Sequence, residues 1–331
     1  MSSFFSTGSL PKTILVTGGC GYLGSRLIRD LANDKQLGGV TIRILDNFQS
    51  GHQQALMGLP KEGRYQFIEG DILDPSIVRL ALQGVDAVIH LAAIVTTPMS
   101  FDRPVWMEQV NRWGTIHLVD ACLQAGVQRF IYASSAAVYG PGGPFSEVGP
   151  CHPLGPYAQS KQRAEVGVLK AAERGLMPTI LRFGSIFGLA PVTRFDAVIN
   201  HFVYLTGIGR PLTVYGDGQQ SRPFIYVRDA SEVTCYCVDH PDLTINKIFN
   251  VIGENVRILE LVEMVQSIRK DVRVRYTEQD VLTHVSFAVN NSMLSYLGWR
   301  PRFTVREGIA EFLEQFESLL PVDMHLLEVD E

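Results

Sequence analysis

An apolar, β-branched run ends in three spaced glycines near the start of this chain of 331 residues. The run covers residues 13–17, the glycines are Gly18, Gly21 and Gly24, and a helical pattern follows from Ser25. Glycines allow a tight turn and close approach of a ligand to the backbone, and a helix N-terminus offers free N–H groups to phosphate. The pattern therefore predicts a strand, turn and helix that bind the pyrophosphate of a dinucleotide.

An acidic residue at the end of the next predicted strand indicates which dinucleotide is bound. Thr41–Leu45 reads as a strand, and Asp46 follows it, 22 residues after Gly24. An acid at about this distance is expected to accept hydrogen bonds from the adenosine ribose hydroxyls. Asn47 comes next rather than an arginine, so a 2′-phosphate would meet only negative charge. NAD is therefore favoured over NADP as the cofactor.

Composition excludes several other classes of protein. The chain is 46% hydrophobic and carries a net charge of −5, without any basic block, so neither nucleic acid nor an anionic membrane is expected as a partner. No apolar run approaches the roughly 20 residues of a membrane span, and the first twelve residues are not expected to form a signal peptide. The five cysteines are scattered, no cluster has metal-ligand spacing, and a cytoplasmic location is the simplest interpretation.

Short β-rich runs alternate with longer helical patterns up to about residue 180. This rhythm predicts an α/β fold, a Rossmann-type doubly wound parallel sheet, with a smaller, partly interleaved C-terminal substrate lobe. We expect a NAD-binding domain over 12–183, to which later segments return, and a substrate-binding lobe mainly over 184–320. This later part is expected to be less regular, with many loops in 184–232 and 253–284. The predicted strands are Thr13–Thr17, Thr41–Leu45, Tyr65–Glu69, Ala87–Leu91, Arg129–Ala133 and Pro178–Phe183, and the predicted helices include Ser76–Gln83, Val105–Ala125, Pro156–Arg174, Asn291–Tyr296 and Val305–Leu319.

A tyrosine and a lysine four residues apart form the second chemical signal. Tyr157 and Lys161 share one face of a predicted helix, and Ser135 follows a predicted strand upstream. A phenol can act as a base near neutral pH only if its phenolate is stabilised, and Lys161 and the positive nicotinamide ring would supply that stabilisation. Alone, the pair reads more simply as a surface helix pair. Beside a dinucleotide loop it indicates hydride and proton transfer to and from a hydroxyl held by Ser135.

Other polar residues have structural interpretations. Asp71 is either a cofactor contact or the N-cap of the helix near Pro75. Asn111 is interpreted as an internal hydrogen-bonding residue that supports the site, and His90 as a satisfied core histidine. The neighbours Arg228 and Asp229 read as a solvated pair.

With these motifs the chain resembles the extended short-chain dehydrogenase/reductases, in their NAD-dependent epimerase/dehydratase branch. The resemblance runs from Lys12 to about Phe316 and implies a homodimer joined through helices at about 103–125 and 157–174. It implies a catalytic triad of Ser135, Tyr157 and Lys161, and substrate contacts from Ser135, Ser185 and Arg222. The implied cofactor contacts, besides Tyr157 and Lys161, are Gly18, Gly21, Tyr22, Leu23, Gly24, Asp46, Asn47, Asp71, Ile72, Leu91, Ala92 and Ala93. The matching pieces are TGGCGYLG at 17–24, Asp46-Asn47, Gly70-Asp71-Ile72, His90–Ala93, Asn111, SSAAVYG at 134–140, YAQSK at 157–161, residues 216–229 and Leu297-Gly298-Trp299.

The resemblance also indicates a reaction. In resembling enzymes an arginine at the position of Arg222 binds the diphosphate of a nucleotide sugar, which becomes the expected substrate. Dehydratases of this branch usually carry Asp-Glu where this chain has Ala136 and Ala137, and methyl groups cannot move protons. The expected activity is therefore epimerisation at C4 through a transient 4-keto sugar. The alternatives are a nucleotide-sugar dehydratase, a keto-sugar oxidoreductase and, more remotely, a non-catalytic NAD-binding scaffold.

Two departures from the family pattern bear on the substrate. The usual Arg-x-x-Asn after the sixth strand reads Arg182 to Ser185, and residues 283–286 stand where a second arginine is frequent. Arg194 or Arg210 could anchor the substrate instead. Ser286 falls where a bulky residue would exclude N-acetyl groups, so a larger C2 substituent would have room.

Overall fold

The computed structural model describes residues 10–95, 101–278 and 285–319. In these ranges the strands are β1 (Thr13–Thr17), β2 (Thr41–Asp46), β3 (Arg64–Glu69), β4 (Ala87–His90), β5 (Arg129–Ser135), β6 (Gly142–Phe145), β7 (Met177–Phe183), β8 (Ser185–Phe187), β9 (Leu212–Tyr215), β10 (Ser221–Tyr226), β11 (Lys247–Val251), β12 (Glu254–Arg257), β13 (Val274–Thr277) and β14 (Phe287–Val289). The α-helices are α1 (Tyr22–Asn33), α2 (Pro75–Ala81), α3 (Pro104–Glu108), α4 (Thr115–Ala125), α5 (Gly155–Lys170), α6 (Val198–Gly207), α7 (Val227–Asp239), α8 (Pro241–Thr244), α9 (Ile258–Ile268), α10 (Ser292–Tyr296) and α11 (Val305–Glu314).

Seven of the described strands form one parallel sheet in the order β11-β7-β5-β4-β1-β2-β3. The side chains of β1 alternate between its two faces: Ile14 and Val16 enter one buried cluster, and Leu15 enters another. All three are 0% exposed, and burying an aliphatic side chain of this size contributes about 1.5–3 kcal/mol. Burial on both faces explains why this strand reads as a continuous apolar run rather than an alternating one.

Helices cover both faces of the sheet. Leu27 of α1 and Val233 of α7 belong to the cluster on one face. Val78 of α2, Leu118 of α4 and Val168 of α5 belong to the cluster on the other. The predicted α/β, doubly wound fold is confirmed. In the described ranges, no helix combines the length and apolarity needed to cross a membrane.

The later part of the chain is more regular than the sequence suggested. The segments 184–232 and 253–284, where many loops are expected, also contain helices α6 and α9, whose apolar residues pack with those of α11 in a third cluster. The described strands there form small sheets, β12-β10-β8 and β13-β9. Strand β11 returns to the main sheet beside β7.

Two predicted helices have different limits from those expected. A π-helical segment, Gln109–Gly114, interrupts the helix expected over Val105–Ala125. The helix expected to reach Arg174 is α-helical only to Lys170 and continues as a 3₁₀ turn, which ends at Gly175 with φ of +95°. Glycine is the residue that adopts this left-handed conformation most easily.

The interpretation of Arg228 and Asp229 as a solvated pair is wrong. Asp229 is fully buried, and its carboxylate accepts the backbone N–H groups of Arg302 and Phe303, each at 3.1 Å. Arg228 forms an ion pair with Glu311 instead. Asp229 therefore holds in place the chain segment that leads into α11.

Candidate active site

The glycine loop follows β1 and packs against the turn after β4. Gly18 has φ of +73°, and a Cβ atom there would lie 2.6 Å from the backbone nitrogen of Ala92. A Cβ atom on Gly24 would lie 2.2 Å from the carbonyl oxygen of Gly18. Only glycine fits at these two positions. Among the described residues no side chain caps α1 at Gly21, so the first N–H groups of the helix suit an anionic ligand.

Tyr22 ties this loop to the segment that follows β8. Its phenol donates to the carbonyl oxygen of Gly188 at 2.5 Å and accepts from Nδ2 of Asn200 at 3.1 Å. Nδ2 of Asn200 also donates to the carbonyl oxygen of Arg194 at 2.8 Å. The segment from Gly188 to Arg194 therefore lies against the dinucleotide loop. Sequence reasoning missed Asn200, because one asparagine in an apolar helix gives no motif.

The carboxylate of Asp46 connects β2 to the glycine loop. It accepts the backbone N–H groups of Cys20 and Phe48, each at 2.9 Å. Burial raises the pKa of this carboxyl, and the two backbone hydrogen bonds oppose the shift. Beside it, Nδ2 of Asn47 donates to Asp71 at 2.9 Å. The structure thus brings together three of the polar residues expected to contact the cofactor.

The interpretation of Asp71 as a helix cap is wrong. Helix α2 begins at Pro75, and its N-cap is Asp74, whose carboxylate accepts the N–H of Ser76 at 2.8 Å. Asp71 closes a turn by accepting the N–H of Leu73 at 2.8 Å. Because the residue before a proline avoids helical geometry, Pro75 places the cap at position 74. The Asp71 carboxylate therefore faces Asn47 rather than a helix end.

His90 is buried at the end of β4. Its Nδ1 lies 2.7 Å from Oγ1 of Thr17 and its Nε2 lies 2.9 Å from Oγ1 of Thr115. Burial lowers the pKa of His90 to about 3, with a smaller contribution from the charge of Lys161. The interpretation of His90 as a satisfied core histidine is confirmed. The turn Leu91–Ala93 follows directly, and the N–H of Leu91 donates to the carbonyl oxygen of Thr17 at 3.0 Å.

Asn111 supports the site from within the π-helical segment. Its Oδ1 accepts the N–H of Ile94 at 2.8 Å, and its Nδ2 donates to the carbonyl oxygen of Ile94 at 2.9 Å and to Oγ of Ser160 at 3.2 Å. Its interpretation as an internal hydrogen-bonding residue is confirmed. His117, which gave no signal in the sequence, donates from Nδ1 to the carbonyl oxygen of Ile72 at 3.0 Å. Both residues fix loops that follow strands of the sheet.

Three successive residues of β5 contact three residues on one face of α5. Positions four apart on a helix share a face, so one straight strand can meet all three. The Nζ of Lys161 donates to the carbonyl oxygen of Ala133 at 2.7 Å. The pairs are Lys161 with Ala133, Glu165 with Ser134, and Tyr157 with Ser135. The three residues expected to form the triad therefore lie together.

The surroundings of the Tyr157 phenol shift its pKa in opposite directions. Burial raises the pKa of Tyr157, while a hydrogen bond with Ser135 and the positive charge of Arg194 lower it. Burial lowers the pKa of Lys161 to about 7, and the charge of Glu165 opposes that shift. The protonation of Lys161 near neutral pH therefore depends on its neighbours.

A buried ion pair lies behind these residues. Nε of Arg182 donates to Oε1 of Glu165 at 3.0 Å and Nη2 to Oε2 at 2.7 Å, and their side chains are 6% and 3% exposed. Nη1 of Arg182 donates to the phenol of Tyr139 at 2.8 Å, which donates to Oδ1 of Asn250 at 2.7 Å. Sequence reasoning gave no role to Glu165, although its position four residues after Lys161 was a usable signal.

The residues after Ser135 form a short 3₁₀ turn, Ala136–Tyr139. Oγ of Ser135 accepts the N–H of Ala137 at 3.2 Å, and Ala136 is buried. This turn holds the backbone beside the Ser135 hydroxyl in place. The side chains of Ala136 and Ala137 in this turn are methyl groups, which cannot act as an acid or a base.

The residues expected to hold the substrate lie around β8 and β10. These strands pair in parallel, with Ser185 opposite Phe224, and Arg222 lies two positions before Phe224. Burial lowers the pKa of the Arg222 guanidinium. Oγ of Ser286 accepts the N–H of Ser221 at 3.0 Å, beside Arg222. Positions 283 and 284 lie outside the described residues.

The two alternative arginine anchors differ in position. Arg210 is exposed. Arg194 forms a two-point ion pair with Asp196, at 2.5 and 2.8 Å, and its charge acts on the phenol of Tyr157. Of the two, Arg194 is therefore the arginine whose charge reaches Tyr157. Within the described ranges, no group of three or more His, Cys, Asp or Glu side chains could hold a metal ion.

Comparison with known proteins identifies the family of this chain. A sequence model of the NAD dependent epimerase/dehydratase family matches residues 14–251. The chain belongs to this family. Its cofactor is NAD, and the predicted family resemblance is confirmed.

Relatives within the family differ in activity. The chain is 32% identical to the dTDP-D-glucose 4,6-dehydratase of Mus musculus, over 94% of this chain and 90% of that protein. It is also 32% identical to YtcB of Bacillus subtilis, an uncharacterized UDP-glucose epimerase, over 92% and 98% of the two chains. The solved structure of MoeE5 in complex with UDP-glucose and NAD is 31% identical and superposes with a TM-score of 0.79, over 91% and 97% of the chains. Membership alone therefore does not separate epimerase from dehydratase.

Proposed function

We propose that this protein is an NAD-dependent nucleotide-sugar 4-epimerase that works through a transient 4-keto sugar. One observation carries the proposal: Ser135, Tyr157 and Lys161 lie together, while Ala136 and Ala137 beside them offer no proton-transferring group. The site can thus oxidise and reduce one carbinol carbon. It has no further acid or base at these two positions for elimination at the neighbouring carbons.

The residues that would hold NAD fit a dinucleotide. Gly18 and Gly24 leave no room for a side chain in the loop, and the first turn of α1 faces the pyrophosphate position. Asp46 and Asn47 would meet the adenosine ribose, and Asp71 would meet the neighbouring adenosine groups. When bound, NAD accepts a hydride from the sugar and returns it.

The proton steps belong to the chain's own residues. The Tyr157 phenolate takes the proton of the C4 hydroxyl, which the Ser135 hydroxyl orients by a hydrogen bond. Lys161 stabilises the phenolate by its positive charge. Arg222 and Ser185 hold the diphosphate end, so that the keto sugar can turn over between the two hydride steps. Tyr157 then returns the proton to the C4 oxygen of the turned sugar, which now has the opposite configuration at C4.

A 4,6-dehydratase is the main alternative, because a relative with that name is 32% identical over 94% of the chain. Such a reaction must remove a proton beside the keto group and expel a hydroxyl. Both events need titratable side chains near the sugar. The alanines at 136 and 137 argue against it.

A net oxidoreductase would use the same three residues and would differ only in the amount of NADH formed for each sugar consumed.

The test is a panel of UDP-, GDP-, dTDP- and CDP-sugars incubated with the purified protein and trace NAD, and followed by proton NMR and NADH absorbance. A sugar isomer formed over many turnovers without accumulating NADH supports the epimerase. NADH produced in proportion to consumed sugar would replace it with the oxidoreductase.

The same proposal includes a cytoplasmic homodimer joined through α3, α4 and α5. Large apolar side chains are exposed along these elements: Val105 on α3 at 72%, Trp113 in the π-helical segment between α3 and α4 at 53%, and Val166 on α5 at 55%. These elements pack against one another, and apolar surface exposed on neighbouring helices supports an interface there. A second copy of the chain would cover it with the same surface.

A further inference from the structure

Glu165 is a buried carboxylate that the proposed proton steps do not use. It is 2% exposed and lies one helical turn after Lys161. A buried charge is costly unless it is paired and hydrogen-bonded. Two different elements of the sheet supply its partners, Ser134 from β5 and Arg182 from β7.

These partners connect Glu165 to both ends of the triad. Ser134 stands between Ala133, whose carbonyl oxygen accepts from Lys161 at 2.7 Å, and Ser135, which hydrogen-bonds Tyr157. A movement of Glu165 would therefore shift α5 against β5 at all three contacts. The two-point geometry of the Arg182 ion pair limits such movement.

We propose that Glu165 is a positioning residue of the active site, whose carboxylate holds the Lys161 ammonium and the Tyr157 phenol in register with β5. Only the expected effect of Glu165 on turnover rests on the proposed function. The effect of Glu165 on the ionisation of Tyr157 requires no substrate.

The charge of Glu165 acts on Lys161 and raises the pKa of its ammonium group. In the described residues, the titratable groups that face Lys161 are Glu165 on its own helix, His90 on β4, and Tyr132 on β5, whose ring lies 5.0 Å from Nζ. His90 is neutral at physiological pH, since burial lowers its pKa to about 3, and burial keeps the pKa of Tyr132 well above the usual value. Among these groups Glu165 is therefore the one whose charge favours the protonated form of Lys161.

The groups that act directly on the phenol are Ser135 and Arg194. Removing the Glu165 carboxylate therefore acts on Tyr157 by releasing Ser134 and, with it, the neighbouring Ser135. When the hydrogen bond between Ser135 and the phenol is weakened, Tyr157 ionises at a higher pH. A role confined to packing would lower the melting temperature and leave this ionisation in place.

The test is the ultraviolet titration of tyrosinate in the NAD-bound protein without substrate. The chain has 11 tyrosines, so the Tyr157 signal is taken as the difference from a Tyr157→Phe variant in the same background. Glu165→Gln is expected to move this ionisation to higher pH, and to lower kcat/KM near pH 7 on the order of tenfold for each unit of displacement. The matched control is Glu173→Gln, an exposed residue just after the same helix, and it leaves the titration unchanged.

A second variant keeps the test valid if Glu165→Gln does not fold because Arg182 loses its partner. In Glu165→Gln with Arg182→Met both buried charges are absent, a change that proteins often tolerate. A folded variant of either kind whose Tyr157 ionises at the wild-type pH overturns the proposal. If the ionisation moves but no sugar is ever turned over, the proposed function fails and the role of Glu165 stands.

Discussion

Nζ of Lys161 donates a hydrogen bond of 2.7 Å to the carbonyl oxygen of Ala133, two residues before Ser135. The bond fixes the ammonium against the strand that carries the serine. It also places Lys161 where burial lowers its pKa to about 7, so small changes in nearby charge alter its protonation. The reactivity of Tyr157 therefore depends on charges that lie beyond the triad itself.

Tyr157→Phe is expected to lower kcat by about 10²–10⁴, because the proton-transferring group is lost. The amount of NAD bound stays that of the wild type, since the contacts from the glycine loop remain. Activity is measured by NMR on the accepted sugar, and bound NAD by its release on denaturation. Gln159→Ala, an exposed residue on the same helix, serves as the control. Activity within tenfold of the wild type in Tyr157→Phe removes the proposed base.

Arg194→Gln is expected to move the acid limb of the kcat/KM profile to higher pH. The Arg194 charge lowers the pKa of Tyr157, so its removal raises that pKa, and the phenolate then forms only at higher pH. The profile is measured against that of Arg210→Gln, which removes the exposed arginine. An unchanged limb in Arg194→Gln, or equal shifts in both variants, contradicts the placement of Arg194 at the site.

Asp239→Asn is expected to stabilise the protein in alkaline solution. Burial and then the charge of Asp34 raise the pKa of Asp239 to about 7. The folded state thus binds this proton more tightly than the unfolded state, and the stability that it contributes at low pH is lost as pH rises through 7. At pH 8 the variant should gain about 1 kcal/mol in the free energy of unfolding, after allowance for solvent screening.

The measurement for Asp239→Asn is urea unfolding at pH 5 and pH 8. The gain over the wild type should be larger at pH 8. Asp271→Asn, which removes an exposed aspartate, should show no such difference. A gain that is equal at both values of pH would show that Asp239 titrates as an ordinary carboxyl.

Val166→Glu is expected to convert the proposed dimer to a monomer. Val166 is 55% exposed on α5, and two symmetry-related charges inside an apolar interface would each be left without a partner. Sedimentation velocity measures the change. Leu80→Glu on α2, where the leucine is 49% exposed, controls for a charge placed on an exposed apolar site. Equal sedimentation of all three proteins would place the interface elsewhere.

The local parts of the fold could be predicted because their signals lie within a few residues. The apolar run of β1 has the limits expected, Thr13–Thr17, since Gly18 ends it. Helix limits were less accurate where the signal was ambiguous. Asp71 and Asp74 are both acceptable caps by residue type, and only the position of Pro75 relative to the helix start decides between them.

The contacts that organise the site could not be predicted in the same way. Asn200 and Tyr22 are 178 positions apart, and Glu165 meets Arg182 only because α5 crosses β7. Neither relationship leaves a periodic pattern in the sequence. Sequence motifs predicted the residues expected to bind the cofactor and transfer protons. The buried polar residues that support them are brought into place only by the packing of elements that are distant in the sequence.

The most direct test of the proposed epimerisation is to run the nucleotide-sugar panel in deuterium oxide and record the proton spectrum of the product. Hydride transfer away from C4 and back leaves every carbon-bound proton in place, because that hydrogen never exchanges with solvent. We predict an isomer that retains all its ring protons, formed without accumulation of NADH. Deuterium at C5 together with loss of the C6 hydroxyl, or NADH formed in proportion to the sugar consumed, would contradict the account.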